Sequence, residues 1–354
     1  VLTSPLFGVI SRFLGYYSRS EGYEKSLERL RVDVADGWCL AVFPEGTRSL
    51  NGKIKRFHKG AFYLASQVGV PVIPVVFYGN WRIAPKNQGF NMTEGIAVTE
   101  VMAPVSTISA EYHELTVRIS SLVKAEYAEL CRKYDSPMNP YFRKTLVSSY
   151  IYKGPVTEWY VKVKTKMEDS YSFFHSVLPR EGRITDIGCG MGQMDFMLSM
   201  YCPERRIIGI DYDADKIAVA QNSWLLKNLP DLEFRCGNAS ECELPESNAF
   251  VISDMLHYLD AQAQEALIRR CAGKLLPGGM ILVRDSDSEN AKGQKVTALS
   301  EVFSTRILAF NRTQGELNFI SHSRMEAIAA AVGLKMTVRS NDAVTSNTFY
   351  ILKF

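Results

Sequence analysis

The residue string Glu45-Gly46-Thr47-Arg48 has the chemistry of a phosphate-binding turn. The guanidinium of Arg48 can hold a phosphate through two parallel hydrogen bonds, beside the backbone N–H groups that a turn exposes. Further positive charge follows at Lys53, Lys55, Arg56 and Lys59. A surface ion pair between Glu45 and Arg48 is the alternative, and such pairs contribute little to stability. The string favours a site for phosphate.

A glycine-rich loop, Asp186-Ile187-Gly188-Cys189-Gly190-Met191-Gly192, follows a predicted strand. Glycines let the backbone approach a ligand closely and leave free N–H groups at the start of the next helix. Asp211 closes the following strand 19 residues after Gly192, where it could accept hydrogen bonds from ribose hydroxyls. A nicotinamide dinucleotide is one candidate ligand, but it would prefer glycine in place of Gln193 and does not need Asp186.

Asp254, His257 and Tyr258 follow the fourth strand that the sequence predicts in this half of the chain. They lie at the end of the sheet where an acceptor should enter. A histidine changes its charge near neutral pH, so His257 is the best-placed general base for a hydroxyl acceptor. The alternative is that His257 packs against a cofactor or caps a helix.

Alternating strands and helices position these residues. Apolar runs predict strands at residues 183–189, 206–212, 233–236, 250–255, 280–284, 334–339 and 348–353, with a helix at 324–331. This alternation is typical of a doubly wound, mostly parallel sheet. The aromatic and basic segment 141–178 could stack on nucleic-acid bases, but helical packing over this domain is the favoured role.

The first half of the chain predicts a smaller α/β arrangement. A charged helix at 21–34 precedes an apolar strand at 39–43, and a further helix spans 112–130. The apolar segment 6–17 predicts either a core helix or one that lies on a membrane surface.

A length of 354 residues favours two domains, and the breaker Ser136-Pro137-Met138-Asn139-Pro140 marks the joint between them. We therefore expect domains at 1–135 and 151–354 with a linker at 136–150.

The composition is that of a folded protein, with 46% hydrophobic and 22% charged residues. The net charge of +3 suits anionic lipid or a phosphorylated substrate and is too weak to indicate nucleic acid. The seven cysteines show no metal or redox spacing, so we expect reduced thiols in a cytoplasmic setting and no metal site.

The string from Phe43 to Ser49, with Lys59-Gly60-Ala61 and the string from Gly69 to Val75, closely resembles the glycerolipid (lysophosphatidic acid) acyltransferase family. Gly15 and Arg19 fall near a further motif of that family. The resemblance implies that Arg48, supported by Glu45, Gly46 and Thr47, holds the phosphate of a lysophospholipid-like acceptor. The donor would be an acyl-CoA or acyl-carrier-protein thioester.

In that family a catalytic histidine is followed five positions later by an aspartate, upstream of the phosphate motif. Here the histidines at 58, 113, 175, 257 and 322 are followed at that spacing by Tyr63, Arg118, Arg180, Gln262 and Ala327. We therefore expect an acyltransferase domain that is either incomplete at its N-terminus or inactive, and we favour the first. His58 is expected to be a solvated loop histidine.

The second half, from the glycine-rich loop through Asp211 to Leu276-Pro277-Gly278-Gly279, resembles class I S-adenosylmethionine-dependent methyltransferases over residues 150–354. The resemblance implies that Asp186, Gly188, Gly190 and Gly192 surround the methionine moiety of the cofactor. It also implies that Asp211 binds the ribose, that Tyr212 packs near the adenine, and that Asn238 and Ala239 contact the adenine edge. Asp254 is assigned to the same cofactor site.

The expected fold is therefore α/β in two domains: a glycerolipid-acyltransferase-like domain and a Rossmann-like methyltransferase with a mostly parallel, seven-stranded sheet. The expected function is bifunctional lipid modification, with methyl transfer from S-adenosylmethionine to a lipid-linked or small-molecule acceptor beside a phosphate-binding acyltransferase module. The alternative is an NAD-dependent oxidoreductase behind a non-catalytic phosphate-binding scaffold.

Similar fusions occur behind lipid-exporting transporter domains in bacteria. We therefore also expect a bacterial source, an upstream transporter domain, and a location on the cytoplasmic side of a membrane, in contact with its surface. No nucleic-acid partner is expected.

Overall fold

The computed structural model describes residues 22–86, 92–167, 170–286, 317–340 and 347–354. It divides the chain into two compact units, one formed by Val1–Tyr134 with Asn139–Tyr141 and the other by Asp135–Met138 with Phe142–Phe354. The predicted segment 6–17, with Gly15, and the nearby Arg19 lie outside the described residues. No helix in the described ranges combines the length and hydropathy that a membrane span requires.

In the first unit, helices and a short antiparallel pair of strands share one core. The elements are α1 (Tyr23–Ala35), α2 (Gly60–Val68), β1 (Val75–Tyr78), the single turn α3 (Asn80–Ile83), β2 (Val98–Val101) and α4 (Tyr112–Tyr134). Leu115, Ile119 and Val123 recur every four residues on α4 and pack with Val76 and Tyr78 of β1. The helices predicted at 21–34 and 112–130 are confirmed.

The strand predicted at residues 39–43 is wrong. The segment has no strand pairing within the described chain, and Phe43 is 74% exposed. A strand needs a neighbouring backbone for its hydrogen bonds, and the apolar run alone does not supply one. The segment is extended and leads into the turn at Pro44 and Glu45.

The second unit contains a seven-stranded sheet in the order β5-β4-β3-β6-β7-β9-β8. The strands are β3 (Gly182–Ile187), β4 (Arg205–Asp211), β5 (Leu232–Cys236), β6 (Ser247–Ser253), β7 (Leu275–Ser286), β8 (Lys335–Ser340) and β9 (Asn347–Lys353). β3 to β7 pair in parallel, and β9 is antiparallel to both of its neighbours. The predicted Rossmann-like fold and its seven strands are confirmed.

Helices link and cover these strands. They are α5 (Pro140–Ser148), α6 (Pro155–Met167), α7 (Ser170–Val177), α8 (Gln193–Tyr201), α9 (Ala214–Gln221), α10 (Ala261–Ala272) and α11 (His322–Ala331), with short 3-10 turns at Ile151–Lys153, Trp224–Asn228 and Leu256–Tyr258. The central strands are buried on both faces, which explains their nearly continuous apolar runs. The linker predicted at 136–150 contains α5, and the domain boundaries stay a proposal.

The aromatic segment before β3 packs on this unit, as predicted. The hydroxyl of Tyr150 donates to the carbonyl of Met191 at 2.7 Å, and that of Tyr152 donates to the carbonyl of Val219 at 2.7 Å. Tyr150 is completely buried. The segment between α5 and α6 therefore lies close to the glycine-rich loop that contains Met191.

Arg205 at the start of β4 is 1% exposed and joins this strand to α7, to the loop after α7 and to α8. Its guanidinium donates to the carbonyls of Pro179, Leu198, His175 and Leu178 at 2.8–3.3 Å. Burial lowers the pKa of Arg205 to about 10. Burial and then the charge of Arg205 lower the pKa of His175 to about 4, so this histidine is neutral at physiological pH.

We expect Arg205→Met to destabilise the second unit by about 3 kcal/mol, because it leaves several buried carbonyl groups without donors. Urea unfolding followed by circular dichroism measures the change. Arg206→Met is the matched control, since Arg206 is the next residue on β4 and is exposed. Equal losses in the two variants would contradict the role given to Arg205.

Candidate phosphate loop and cofactor site

The loop that carries the predicted phosphate motif is held closed by backbone hydrogen bonds. The N–H of Gly46 donates to the carbonyl of Phe43 at 3.0 Å, and the N–H of His58 donates to that of Pro44 at 2.8 Å. Gly46 has a φ of 67°, and a Cβ there would lie 3.3 Å from the imidazole of His58. His58 is exposed, as the sequence predicts for a loop histidine.

The side chains of this loop make contacts that do not pair Glu45 with Arg48. Glu45 Oε2 accepts the backbone N–H of Lys55 at 2.8 Å. The Nζ of Lys86 donates to Thr47 Oγ1 at 2.7 Å, which brings a cation 39 positions away in sequence onto the motif. Arg48 is exposed, and no ion pair between it and Glu45 occurs among the described side chains. The arrangement can present two cations and a hydroxyl to an anion.

The glycine-rich loop is fixed to the end of β4. Gly188 and Cys189 donate their N–H groups to the carbonyl of Ile210 at 2.8 and 3.1 Å. A Cβ on Gly192 would lie 2.4 Å from the ring of Phe234, whereas a Cβ on Gly190 would meet no atom within 4 Å. The loop is therefore packed on its inner side and open beside Gly190, where a ligand can approach the backbone.

Asp211 ends β4 and is 6% exposed. Its Oδ2 accepts the N–H of Gly190 at 2.8 Å, and its Oδ1 accepts the N–H of Asp213 at 2.9 Å. The next residue, Tyr212, is 55% exposed. The carbonyl of Asp211 accepts the N–H of Gly237 at 2.9 Å, which brings the segment of Asn238 and Ala239 alongside.

Asn238 is exposed and uses its Oδ1 to accept the N–H of Ser240 at 3.0 Å, whereas Ala239 is buried. The structure thus brings Asp186, the three glycines, Asp211, Tyr212, Asn238 and Ala239 to one edge of the sheet.

His257 lies at the ends of β6 and β7 and is 2% exposed. Its Nδ1 is 2.7 Å from Asp285 Oδ1, and its backbone N–H donates to Asp285 Oδ2 at 3.1 Å. A carboxylate that accepts the Nδ1 proton fixes the ring orientation and leaves Nε2 as the basic nitrogen of the neutral ring. Nε2 is itself buried, and the role of His257 as a general base stays a prediction.

Asp254 also lies at the end of β6, with a φ of 54° that is unusual for a residue other than glycine. Its Oδ2 accepts from Arg284 Nη1 at 2.6 Å, and its N–H donates to the carbonyl of Arg284 at 2.9 Å. Its carboxylate is thus directed to β7, beside the His257 pair, and its assignment to the cofactor stays a prediction.

The sequence that carries the loop, Asp211 and His257 matches a family model. Residues 184–279 match the model described as "Methyltransferase domain". This stretch is a methyltransferase domain. The match favours methyl transfer over the nicotinamide alternative, as does Gln193, whose buried side chain occupies the position of a dinucleotide-binding glycine.

Residues 1–78, which include the phosphate motif, match a second model, described as "Acyltransferase". The chain therefore joins an acyltransferase segment to the methyltransferase domain. It is 36% identical over 83 residues to a 1-acyl-sn-glycerol-3-phosphate acyltransferase of Chlamydomonas reinhardtii, over 23% of this chain and 25% of that protein. A yeast protein of the same name, from Saccharomyces cerevisiae, is 36% identical over 101 residues, covering 27% of this chain and 32% of its own.

The chain spans about a quarter of the length of the Chlamydomonas relative. Solved structures also resemble part of the chain. Human N-acetylserotonin methyltransferase in complex with S-adenosylmethionine covers 57% of each chain at 17% identity, with a TM-score of 0.44. An S-adenosylmethionine-dependent methyltransferase from Methanosarcina mazei covers 52% of this chain and 98% of its own at 16% identity, with a TM-score of 0.41.

Sequence reasoning missed three polar residues of the methyltransferase domain. Arg284 and Asp285 lie in the last three residues of β7, much as Asp211 lies at the end of β4, so the strand-end pattern could have identified them. Asp195 lies in the first turn of α8 and is fully buried. Its only sequence signal is an acidic residue inside an otherwise apolar helix.

Burial dominates the electrostatics beneath the loop of the methyltransferase domain. It raises the pKa of Asp195 to about 7. Burial, followed by the charge of Asp195, raises the pKa of Asp186 well above its usual range. The two carboxyl groups are therefore much less acidic than exposed aspartates.

Proposed function

We propose that residues 151–354 transfer a methyl group from S-adenosylmethionine to a hydroxyl of a lipid-linked or small acceptor. We further propose that residues 1–135 bind the phosphate of a glycerolipid-type acyl acceptor, so that the chain is bifunctional. The observation that best supports the first proposal is the hydrogen bond from the N–H of Gly190 to Asp211 Oδ2, at the edge of a Rossmann-like sheet.

The polar groups at this edge of the sheet suit S-adenosylmethionine. Asp186 has a buried Oδ1 with no hydrogen-bond partner among the described residues, which suits the ammonium of the methionine moiety. The open side of Gly190 gives that moiety room, with Gly188 and Gly192 on either side. Asp211 has further lone pairs for ribose hydroxyls.

The adenine end suits the same assignment. The exposed ring of Tyr212 offers a surface on which an adenine can stack. Asn238 and Ala239 follow the segment that pairs with Asp211 and would contact the adenine edge. The adenine, the ribose and the charged amino-acid tail of such a nucleoside would thus each contact different residues of the chain.

When bound, S-adenosylmethionine supplies a methyl group on a sulfonium, which an aligned nucleophile can displace directly. The chain's own role is to align the acceptor and to exclude water. Asp285 holds His257 at 2.7 Å in the orientation in which Nε2 can take the proton of an acceptor hydroxyl. Arg284 and Asp254 fix the neighbouring strand ends.

Calorimetric titration of the full chain tests the cofactor assignment. We expect S-adenosylmethionine and S-adenosylhomocysteine to bind and NAD to bind more weakly or not at all. Tighter binding of NAD would support the oxidoreductase alternative. A lack of binding by both adenosyl ligands would contradict the proposal.

The phosphate loop supports the second proposal. Arg48 is exposed, and Lys86 donates to Thr47, the residue before it, so we propose that both cations meet one phosphate. Glu45 braces the loop by accepting the N–H of Lys55. The relatives that match this segment are named 1-acyl-sn-glycerol-3-phosphate acyltransferases, so we propose a lysophosphatidic acid-like acceptor and an acyl thioester donor.

We expect Arg48→Ala to weaken binding of a short-chain lysophosphatidic acid about 10- to 100-fold, because a charge-assisted, two-point hydrogen bond to phosphate is lost. Calorimetry on the full chain measures the affinity. Lys124→Ala is the control, since it removes an exposed cation from α4 in the same unit. Equal affinities of the two variants would contradict the phosphate role.

A further inference from the structure

Two buried carboxyl groups face each other beneath the glycine-rich loop. Asp186 on β3 is 3% exposed, and Asp195 on α8 is fully buried. No other described group donates a hydrogen bond to either oxygen of Asp195 or to Oδ1 of Asp186. The two side chains lie close enough to interact, and a hydrogen bond between them requires a proton on one of them.

Burial makes this shared proton stable. An ionised carboxylate without a partner is costly in a protein interior, and two adjacent carboxyl groups cannot readily both ionise. This cost of burying an ionised carboxylate is what raises the pKa values of Asp186 and Asp195. Without a ligand, the pair therefore keeps a proton at pH values at which exposed aspartates are ionised.

Other charged and titratable groups surround the pair. Asp211 on β4 raises the pKa of Asp186 further, and Lys164 on α6 lowers it. Cys189 in the loop and Tyr150 before α6 stay neutral, because burial raises the pKa of each well above its usual value. Three carboxyl groups thus share this region with Lys164, and the excess of acidic groups suits a cationic ligand.

We propose that Asp195 is a positioning residue that shares a proton with Asp186 and gives it up when the ammonium of the cofactor binds to Asp186. The inference rests on the proposed cofactor site. One O–H bond of the pair breaks, the proton passes to solvent, and the ammonium replaces it as the partner of the ionised Asp186. Cofactor binding is then linked to proton release.

The sign of the pH dependence follows from this exchange. Below the titration of the pair, the ammonium must displace a proton, so affinity rises with pH by up to about tenfold per unit. Affinity levels off only above the titration of the whole pair, since the charge of Asp195 raises the pKa of Asp186 further. Weaker binding in acid is thus the expected result.

Calorimetric titration of the full chain with S-adenosylhomocysteine measures how many protons are released when the ligand binds. Titrations at pH 6.5 in phosphate and in imidazole, which differ in ionisation enthalpy, should show release of about one proton per ligand bound. Dissociation constants between pH 5.5 and 7.5 should fall as the pH rises.

Asp195→Asn tests the residue itself. The amide cannot share a proton in this way, and it can donate to an ionised Asp186. We expect this variant to release fewer protons and to bind more tightly than the wild type at pH 5.5. Ser199→Ala is the control, because Ser199 is a buried polar residue one turn further along α8. It should behave as the wild type.

Thermal unfolding gives a second readout. Since the folded-state pKa values of the pair are raised, the stability it contributes is full below pH 4 and is lost as the pH rises through about 7. The Asp195→Asn variant lacks one of the two carboxyl groups, so it should lose less stability as the pH rises. Its Tm relative to the wild type should therefore increase from pH 5 to pH 8, whereas that of Ser199→Ala should stay constant.

The outcomes separate the inference from the proposed function. Binding of S-adenosylhomocysteine without proton release and with a flat pH profile would overturn the inference and leave the cofactor site standing. Equal proton release by Asp195→Asn and the wild type would do the same. A failure of the wild type to bind at all would overturn both. The proton count of the wild type decides even where the variant does not fold.

Discussion

Asp211→Ala is expected to weaken binding of S-adenosylhomocysteine at least about 100-fold. Two hydrogen bonds to a charged group contribute roughly 1.5–3 kcal/mol each, and the variant loses the acceptors for both ribose hydroxyls. It also releases Gly190, whose N–H donates to Asp211 Oδ2 at 2.8 Å. Loss of this anchor loosens the loop, so the effect should exceed that of the ribose contacts alone. Calorimetry on the full chain measures it.

Asp213→Ala is the matched control for this prediction. Asp213 lies two residues further on and caps α9 by accepting the N–H groups of Asp215 and Lys216. Its loss should reduce stability by about 1 kcal/mol and leave affinity nearly unchanged. Asp211→Asn should fall between the two, because an amide oxygen can still hold Gly190. Equal affinities of Asp211→Ala and Asp213→Ala would contradict the assignment.

His257→Gln is expected to slow methyl transfer to a hydroxyl acceptor by about 10²- to 10⁴-fold, the range typical of a lost general base. Binding of S-adenosylhomocysteine should change little. Asp285→Asn should also slow transfer, because it disturbs the 2.7 Å contact that orients the imidazole. Formation of S-adenosylhomocysteine with a panel of phenols, hydroxy acids and lysolipids measures the rate.

His322→Gln serves as the control for the histidine variant. His322 opens α11 in the same domain and has no contact with Asp285 among the described hydrogen bonds. A wild-type rate for His257→Gln would contradict the base role. The alternative is then favoured, in which His257 packs within the site and the acceptor needs no base.

The sheet was predictable from sequence because its strands are buried on both faces. Ile184, Ile207, Phe250 and Leu282 belong to apolar runs that a central parallel strand requires. The glycine-rich loop and Asp211 were predictable for a related reason, since their spacing follows from one strand, one turn, one helix and the next strand.

The remaining site residues depend on contacts that spacing does not encode. Asp285 meets His257 across 28 positions, and Lys86 meets Thr47 across 39. Asp195 has no polar neighbour in sequence that would mark it as functional. The strand that was wrongly predicted at 39–43 shows the same limit of prediction from sequence. Strand formation depends on a pairing partner as well as on apolar residues.

The position of β9 between β7 and β8 affects how the methyltransferase domain can be divided. The family match stops at residue 279, inside β7, whereas β8 joins the sheet only through β9. A fragment cut at residue 279 would lose part of β7 and leave the edge of β6 without a full partner. Open edges of apolar strands recruit other chains, so such a fragment is expected to aggregate. A stable fragment must include Asn347–Lys353, far beyond the recognisable motifs.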